Sequence, residues 1–455
     1  MDHDDPQGPI RQRSVVVIGG GWAGVSAACA LAEQGQQVTL LERRPYLGGR
    51  AFSFKDKESG AEVDNGQHVF LRCCSAYIGL LEQLGVRDKT YLQPKLRVVV
   101  YGRGGKRSAI YRSVLPAPLH LGPALLLYGH LSLVEKLKIG YAALAMRGIS
   151  AQQRVALDGI SFQHWLKRHG QSDRAIELFW DLILLPTAND AAARVSANQA
   201  IFIFQEGFLR RADAGDIGYA SGGLSELLAG VPVYLTQRGG RVCFDHTVER
   251  LEGARGGITG AAIYGHPELK ADYYVSALPA KNLLEILPSE LRSMAFFAPA
   301  ATVTTAPIVN VHVWYDRPVM EEPFAAFLHS PAQFLFNRNA IEGKGTGAQH
   351  LAISLSGAHR YIDMSKEDLE RLFLPELARL LPKAQEAQVE RCVIVKERFA
   401  TFAPVPGSAG GRLPAKTPVP NLFLAGEWTA TQWPSTMEGA VRSGQAAARE
   451  VLQAP

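Results

Sequence analysis

Cysteine is scarce in this chain: five occur among 455 residues, at Cys29, Cys73, Cys74, Cys243 and Cys392. The count is odd and no C-x-x-C spacing occurs, so reduced thiols in a cytoplasmic compartment are expected. Hydrolase and phosphate-loop spellings are missing too, with no G-x-S-x-G, no H-E-x-x-H and no P-loop. The histidines are scattered without metal-ligand spacing, so no metal is expected. Charge of one sign is also limited. A formal net charge of +5 argues against a nucleic-acid partner and suits weak attraction to an anionic membrane surface. Residues 1–9 are acidic and polar, and no basic-then-apolar signal peptide precedes the first apolar run. The longest uncharged stretch, residues 113–134, is interrupted by Pro116, Pro118 and Pro123. That excludes a spanning helix. No internal repeat or low-complexity tract occurs.

What is present is a globular balance, 47% apolar and 20% charged residues, in a chain long enough for two or three domains. Near the N-terminus a short β-branched run, residues 14–18, reads as a buried parallel strand. Gly19, Gly21 and Gly24 follow in G-x-G-x-x-G spacing, with Trp22 and Ala23 between the last two. An alanine-rich helix is predicted over residues 25–34, stopped by Gly35, and a second strand over residues 38–41 ends at Glu42 and Arg43. Each part has a physical task. Gly19 permits the tight turn, Gly21 lets a pyrophosphate approach the backbone, and Gly24 lets helix and strand pack closely. The helix N-terminus offers free N–H donors and partial positive charge. Glu42 lies about 20 residues beyond the glycines, where a carboxylate binds ribose hydroxyls. This unit alone does not separate FAD from NAD.

The following residues do. Leu47, Gly48, Gly49 and Arg50 form an L-G-G-R segment, and Gly426, Glu427, Thr429, Ser435, Glu438 and Ala440 belong to an A-G-E-x-T … S-x-x-E-G-A segment near the C-terminus. Both resemble the amine oxidase and phytoene desaturase flavoprotein superfamily. That resemblance implies FAD, held non-covalently, with Gly49, Arg50, Gly426, Glu427, Thr436 and Met437 at the cofactor and a backbone contact to adenine at Val248. Ser435 and Glu438 also spell an S-x-x-E capping box for the final helix. Residues 239–244 and 247–251 read as a strand pair returning to the nucleotide domain, and residues 271–279 as a further strand.

The resemblance implies an α/β fold: a Rossmann-like FAD-binding domain of the glutathione-reductase type, with an inserted substrate domain of mixed sheet and helices. The expected boundaries are 1–75, 222–285 and 412–455 for the first, and 76–221 and 286–411 for the second. Within the superfamily, Asp64, Asn65, Gly66, Gln67 and His68 spell D-N-G-Q-H, which resembles the hydroxysqualene dehydroxylase family of bacterial hopanoid pathways. Residues 428–444, 162–166 and 398–404 fit the same branch. Ala188, where a leucine is expected before Asn189, and residues 214–223 depart from it.

The activity so implied is reductive removal of an allylic hydroxyl from hydroxysqualene, giving squalene, at a long apolar tunnel. Gly66, Gln67 and His68 are expected beside the flavin. His68 is the candidate proton donor, or else it and Gln67 brace the loop; Trp428 and Trp433 are candidate pocket walls. Carotenoid desaturation is one alternative. An amine oxidase is another, although that branch's catalytic lysine is not evident. A non-catalytic FAD-stabilised isoprenoid carrier is a third. The expected partners are a long isoprenoid and enzymes of its pathway. An apolar segment follows the basic residues Arg103, Lys106, Arg107 and Arg112. The apolar part, residues 115–134, is broken by prolines and followed by Lys136 and Lys138. With candidate membrane-contact helices near 113–147, it reads either as a peripheral membrane contact at the inner face of the cytoplasmic membrane or as a buried helical hairpin with a charged rim.

Overall fold

The computed structural model describes residues 12–58, 60, 62–345 and 347–455; the acidic segment 1–9 lies outside them. The strand Ser14–Ile18 is β-branched throughout its apolar part and buried on both faces. Such a strand belongs in the middle of a parallel sheet. It pairs in parallel with Gln37–Leu41 on one side and Tyr273–Ser276 on the other. Arg241–Cys243 and Leu422–Leu424 complete this five-stranded sheet at its two edges. Segments more than 400 residues apart in the chain therefore belong to one sheet.

Residues 239–244 and 247–251 do not pair with each other, contrary to the sequence expectation. Arg241–Cys243 joins the parallel sheet, whereas Val248–Ala254 opens a separate antiparallel sheet with Gly257–Ile263 and His266–Leu269. Asp245, at a φ of 59°, turns the chain between the two sheets.

The helices Trp22–Glu33 and Met437–Gln453 pack side by side on one face of the parallel sheet. Small residues permit the approach: a Cβ on Gly444 would lie 2.2 Å from the Ala23 carbonyl oxygen. The Ser26 hydroxyl donates to the Val441 carbonyl at 2.9 Å across the seam. A seven-stranded mixed sheet forms the second layer, in the order Val389–Phe402, Thr305–Tyr315, Gln349–Leu355, Phe334–Asn337, Phe324–Phe327, Arg97–Tyr101 and Arg107–Tyr111. Helices from residues 122–209 cover one side of it around Phe162, Trp180 and Phe204. The helix Lys366–Leu380 covers the other through Leu369, Phe373 and Leu377. Two sheets with separate cores thus leave a cleft at the carboxyl ends of the parallel strands, where open α/β sheets bind ligands.

The final helix is capped differently from the S-x-x-E reading. Thr436, not Ser435, is the N-cap, and its hydroxyl accepts from the Gly439 N–H at 3.2 Å. Glu438 turns away from its own helix. Its carboxylate accepts the backbone N–H groups of Ala76 at 3.2 Å and Tyr77 at 2.7 Å, in the first turn of Ser75–Gln83. Arg442, one turn on, donates to it at 2.6 Å. A fully buried carboxylate needs such partners, and the neighbouring helix terminus supplies more of them than its own does.

Candidate active site

An elongated cavity of about 510 Å³ runs across the carboxyl ends of the parallel strands. At one end stands the glycine turn. Gly19 has a φ of 103°, a left-handed conformation that side chains disfavour. A Cβ on Gly24 would lie 1.8 Å from the Gly19 carbonyl oxygen, so helix and turn touch as the spacing implies. Gly21 is the helix N-cap and no side chain caps it, which leaves the first-turn N–H groups directed at the cavity. Glu42 is buried beside the turn. Its carboxylate accepts the Gly20 N–H at 2.7 Å and the Arg44 N–H at 2.9 Å, and it lines the cavity together with Arg43.

The second glycine segment lies back to back with the first. The Gly48 N–H donates to the Gly20 carbonyl at 2.9 Å, and a Cβ on Gly49 would meet the Gly21 Cα at 3.0 Å. Arg44 donates to the Gly49 carbonyl at 3.0 Å. Arg50 then forms an ion pair with Glu427, which ties the N-terminal motif to the C-terminal one. Val248, with its neighbours Thr247 and Glu249, lines the same cavity, as do Gly426, Ser435, Thr436 and Met437.

The D-N-G-Q-H loop forms a further wall. The Asn65 side chain donates to the Arg50 carbonyl at 2.9 Å and to Glu397 at 3.0 Å, and the Asn65 carbonyl accepts from the Asn310 amide at 3.0 Å. Gly66 and His68 line the cavity. His68 Nδ1 lies 2.8 Å from the Gly66 carbonyl oxygen, an acceptor only, so Nδ1 carries the proton. Enclosure by protein holds the His68 pKa below its ordinary value, opposed by the Gly66 hydrogen bond and by Asp64 and Glu397. The resting ring is therefore neutral, with Nε2 as an acceptor.

Two of the residues singled out from sequence sit elsewhere. The Gln67 side chain accepts from Arg338 at 2.7 Å; it braces the loop and does not line the cavity. Arg338 is itself buried between Glu342, at 2.7 Å, and Asp64, at 3.3 Å. Trp428 is not a pocket wall. It is 1% exposed, packs in the core around Tyr274 and Phe297, and donates from Nε1 to the Leu278 carbonyl at 2.9 Å. Large apolar rings fill cores as readily as pockets. Sequence reasoning missed Asn310 and Glu397, which lie on strands of the seven-stranded sheet and carry no local spelling.

A second cavity, about 160 Å³, meets the first at Thr436 and Met437, which line both. Its walls are apolar, formed by Phe202, Phe208, Phe324, Phe336, Leu182 and Trp433. Trp433 stands edge-on to Phe202 with centroids 5.4 Å apart.

The first cavity fits a flavin dinucleotide on its own terms. It offers an uncapped helix start, a glycine cradle and a ribose-side carboxylate. The buried Trp22 Nε1 and Asn310 Oδ1 also have no partner within the protein, and both residues line it.

Comparison with known proteins agrees. A family model described as flavin containing amine oxidoreductase matches residues 22–452. The 15-cis-phytoene desaturase of Glycine max is 28% identical over 465 residues, covering 98% of this chain and 80% of that protein. The zeta-carotene desaturase of Zea mays is 27% identical over 477 residues, covering 95% and 82%. Among solved structures, putrescine oxidase bound to putrescine superposes with a TM-score of 0.74 at 20% identity, covering 97% of this chain and 99% of that one. Cyclohexylamine oxidase from Brevibacterium oxydans gives 0.70 at 19% identity, covering 97% and 99%. At those identities the structures speak for the fold, a Rossmann-like nucleotide-binding layer joined to a mixed-sheet layer. The chain belongs to the flavin-containing amine oxidoreductase family and is an FAD-dependent oxidoreductase.

Proposed function

We propose that this enzyme acts on a long isoprenoid, and that its reaction is reductive dehydroxylation of hydroxysqualene to squalene in hopanoid biosynthesis. The observation that carries the reading is the meeting of the two cavities at Thr436 and Met437. A dinucleotide-shaped cleft there adjoins a chamber walled mainly by apolar side chains, six of them phenylalanine. In this reading the pyrophosphate lies on Gly19, Gly21, Trp22, Ala23 and Gly49, the ribose on Glu42, and the adenine against Val248. Arg50, Gly426 and Glu427 hold the middle of the cofactor. Gly66, His68, Thr436 and Met437 surround its reactive end.

Bound FAD, when reduced, supplies a hydride. The residues then have three tasks. The aromatic chamber binds hydrocarbon, contributing about 25 cal/mol per Å² of apolar area removed from water. It keeps water from an allylic cation formed as the C–O bond breaks. His68, when protonated at Nε2, delivers the proton that lets the hydroxyl leave as water, while Nδ1–H stays on the Gly66 carbonyl. Carbon gains hydride, oxygen gains a proton, and the products are alkene and water.

Carotenoid desaturation is the second reading. It is favoured by the neutral His68, whose Nε2 is set to accept a proton, and by the desaturases among the relatives. Product analysis separates the two. Squalene formed from hydroxysqualene by the reduced enzyme supports the first reading. No squalene, but desaturated product from phytoene with the oxidised enzyme, replaces it with the second.

A further inference from the structure

The described residues contain sixteen exposed large hydrophobic side chains, and ten of them fall between Val114 and Leu144. They sit on the helices Gly122–Leu127 and Leu133–Gly148 and on the turn that leads into them. Leu127 is 73% exposed and Leu137 63%. Isolated exposed leucines are ordinary; a contiguous set of this size marks an interaction site.

The longer helix has the geometry of one that lies in an interface. At about 100° per residue, its exposed Leu133, Val134, Leu137, Tyr141 and Leu144 fall within an arc of about 100°. Ile139, Ala142 and Met146 occupy the opposite side and are buried. Lys136 and Lys138 project at the two borders of the apolar arc, and neither has a carboxylate partner among the described residues. Lys136 instead donates to the Leu126 carbonyl at 2.7 Å, which pins the two helices together. The start of the helix is fixed by a capping box between Ser132 and Glu135, so the face is presented by a formed element.

Charge identifies the partner. Residues 95–147 hold nine Lys or Arg and a single acidic residue, Glu135, a net +8 within a chain whose total is only +5. The rest of the protein is therefore net acidic. Within the segment Arg107 and Arg112 are paired with Glu322 and Asp216, whereas Lys136 and Lys138 border the apolar face without such partners among the described residues. A protein partner would call for shape complementarity, whereas an anionic lipid surface calls for this pairing of apolar ridge and cationic border. No helix among the described residues is long and apolar enough to cross a bilayer, so the contact is with one leaflet.

We infer that this helical pair is a monotopic anchor that docks on an anionic bilayer, with Leu127 and Leu137 seated among the acyl chains and Lys136 and Lys138 at the headgroups. On the inner side, Leu121, Leu125 and Ala143 pack against the core cluster that also contains Leu182, Ile203 and Phe208. Those three line the apolar cavity, so the anchor and the cavity rest on one continuous apolar core. The anchor stands independently of the reaction proposed above.

The test is co-sedimentation of the FAD-loaded full-length protein with vesicles of phosphatidylcholine alone and of phosphatidylcholine with phosphatidylglycerol. The wild type is expected to bind the anionic vesicles at least about ten-fold more tightly, the preference shrinking at high salt. The double variant L127E/L137E is expected to lose at least about ten-fold of that binding while keeping its flavin content, because both side chains are already in solvent. A wild type that stays in the supernatant with anionic vesicles overturns the inference, as does equal binding to both vesicles or a variant that binds like the wild type. A dimer that the two substitutions split, with no vesicle binding, assigns the face to a second copy instead and equally overturns it.

Discussion

Glu438, in the first turn of the last helix, accepts the backbone N–H of Tyr77 at 2.7 Å across 361 residues of chain. A carboxylate from one end of the polypeptide thus caps a helix near the other end, next to the point where the two cavities meet. Glu438 also lines the apolar cavity's edge, so a stabilising contact and the candidate site share one residue.

Glu438→Ala is therefore expected to destabilise the protein by about 3 kcal/mol, because two backbone donors and Arg442 lose a buried ionic partner together. Denaturant unfolding of the flavin-loaded protein checks this. A loss below about 0.5 kcal/mol would mean that the cap contributes little.

Gly21 and Gly24 separate cofactor contact from chain packing. A Cβ on Gly21 meets only the Gly49 Cα, at 3.7 Å, which is ordinary contact, whereas one on Gly24 collides with the Gly19 carbonyl. Gly21→Ala is expected to keep the fold but to retain several-fold less FAD, since the methyl occupies pyrophosphate space. Gly24→Val is expected to lose soluble folded protein. Flavin absorbance per folded protein, with far-ultraviolet circular dichroism as the control, distinguishes them. Full flavin retention by Gly21→Ala would place the pyrophosphate elsewhere.

The tryptophans divide in the same manner. Trp433→Ala is expected to raise KM for a long isoprenoid by about ten-fold with flavin content unchanged, because it removes a cavity wall. Trp428→Ala is expected to cost about 3–5 kcal/mol of stability, because it empties core. The reverse pattern would exchange their roles.

His68 gives a pH signature with a sign. Burial places its folded pKa below the ordinary 6.5. As an acid it is active when protonated, so single-turnover dehydroxylation should be fastest below that lowered pKa and fall up to about ten-fold per pH unit above it. As a base in desaturation it is active when neutral, and the rate should instead rise with pH to a plateau. His68→Ala should abolish either dependence; an unchanged profile would remove His68 from proton transfer.

The parts legible in the sequence are those with local physical causes. A β-branched run, a G-x-G-x-x-G turn and an acid at the end of the next strand act over a few tens of residues, and each lies where its chemistry requires. The unreadable parts depend on partners far away in the chain. Glu438 reads as a local cap, because S-x-x-E is a local rule; which helix end it serves is set by how two helices dock. Gln67 belongs to a motif beside the flavin, yet Arg338, brought by a strand more than 250 residues later, takes its side chain. Trp428 and Trp433 are alike in composition and differ only in which layer each faces. Asn310 and Glu397 reach the cavity because the seven-stranded sheet brings their strands to it. The exposure of the apolar helical pair likewise follows from packing, since the same residues would suit a buried hairpin.

The central claim is that FAD lies in the long cleft with its reactive end open to the apolar chamber. Its most direct test is anaerobic mixing of the purified enzyme, with its flavin reduced, and hydroxysqualene in detergent, followed through the flavin's visible absorbance. The account predicts return of the oxidised flavin spectrum in step with squalene formation, and slower return in Trp433→Ala. Protein that is folded but takes up no FAD, or whose reduced flavin is unmoved by hydroxysqualene and whose oxidised flavin is unmoved by phytoene, would contradict it.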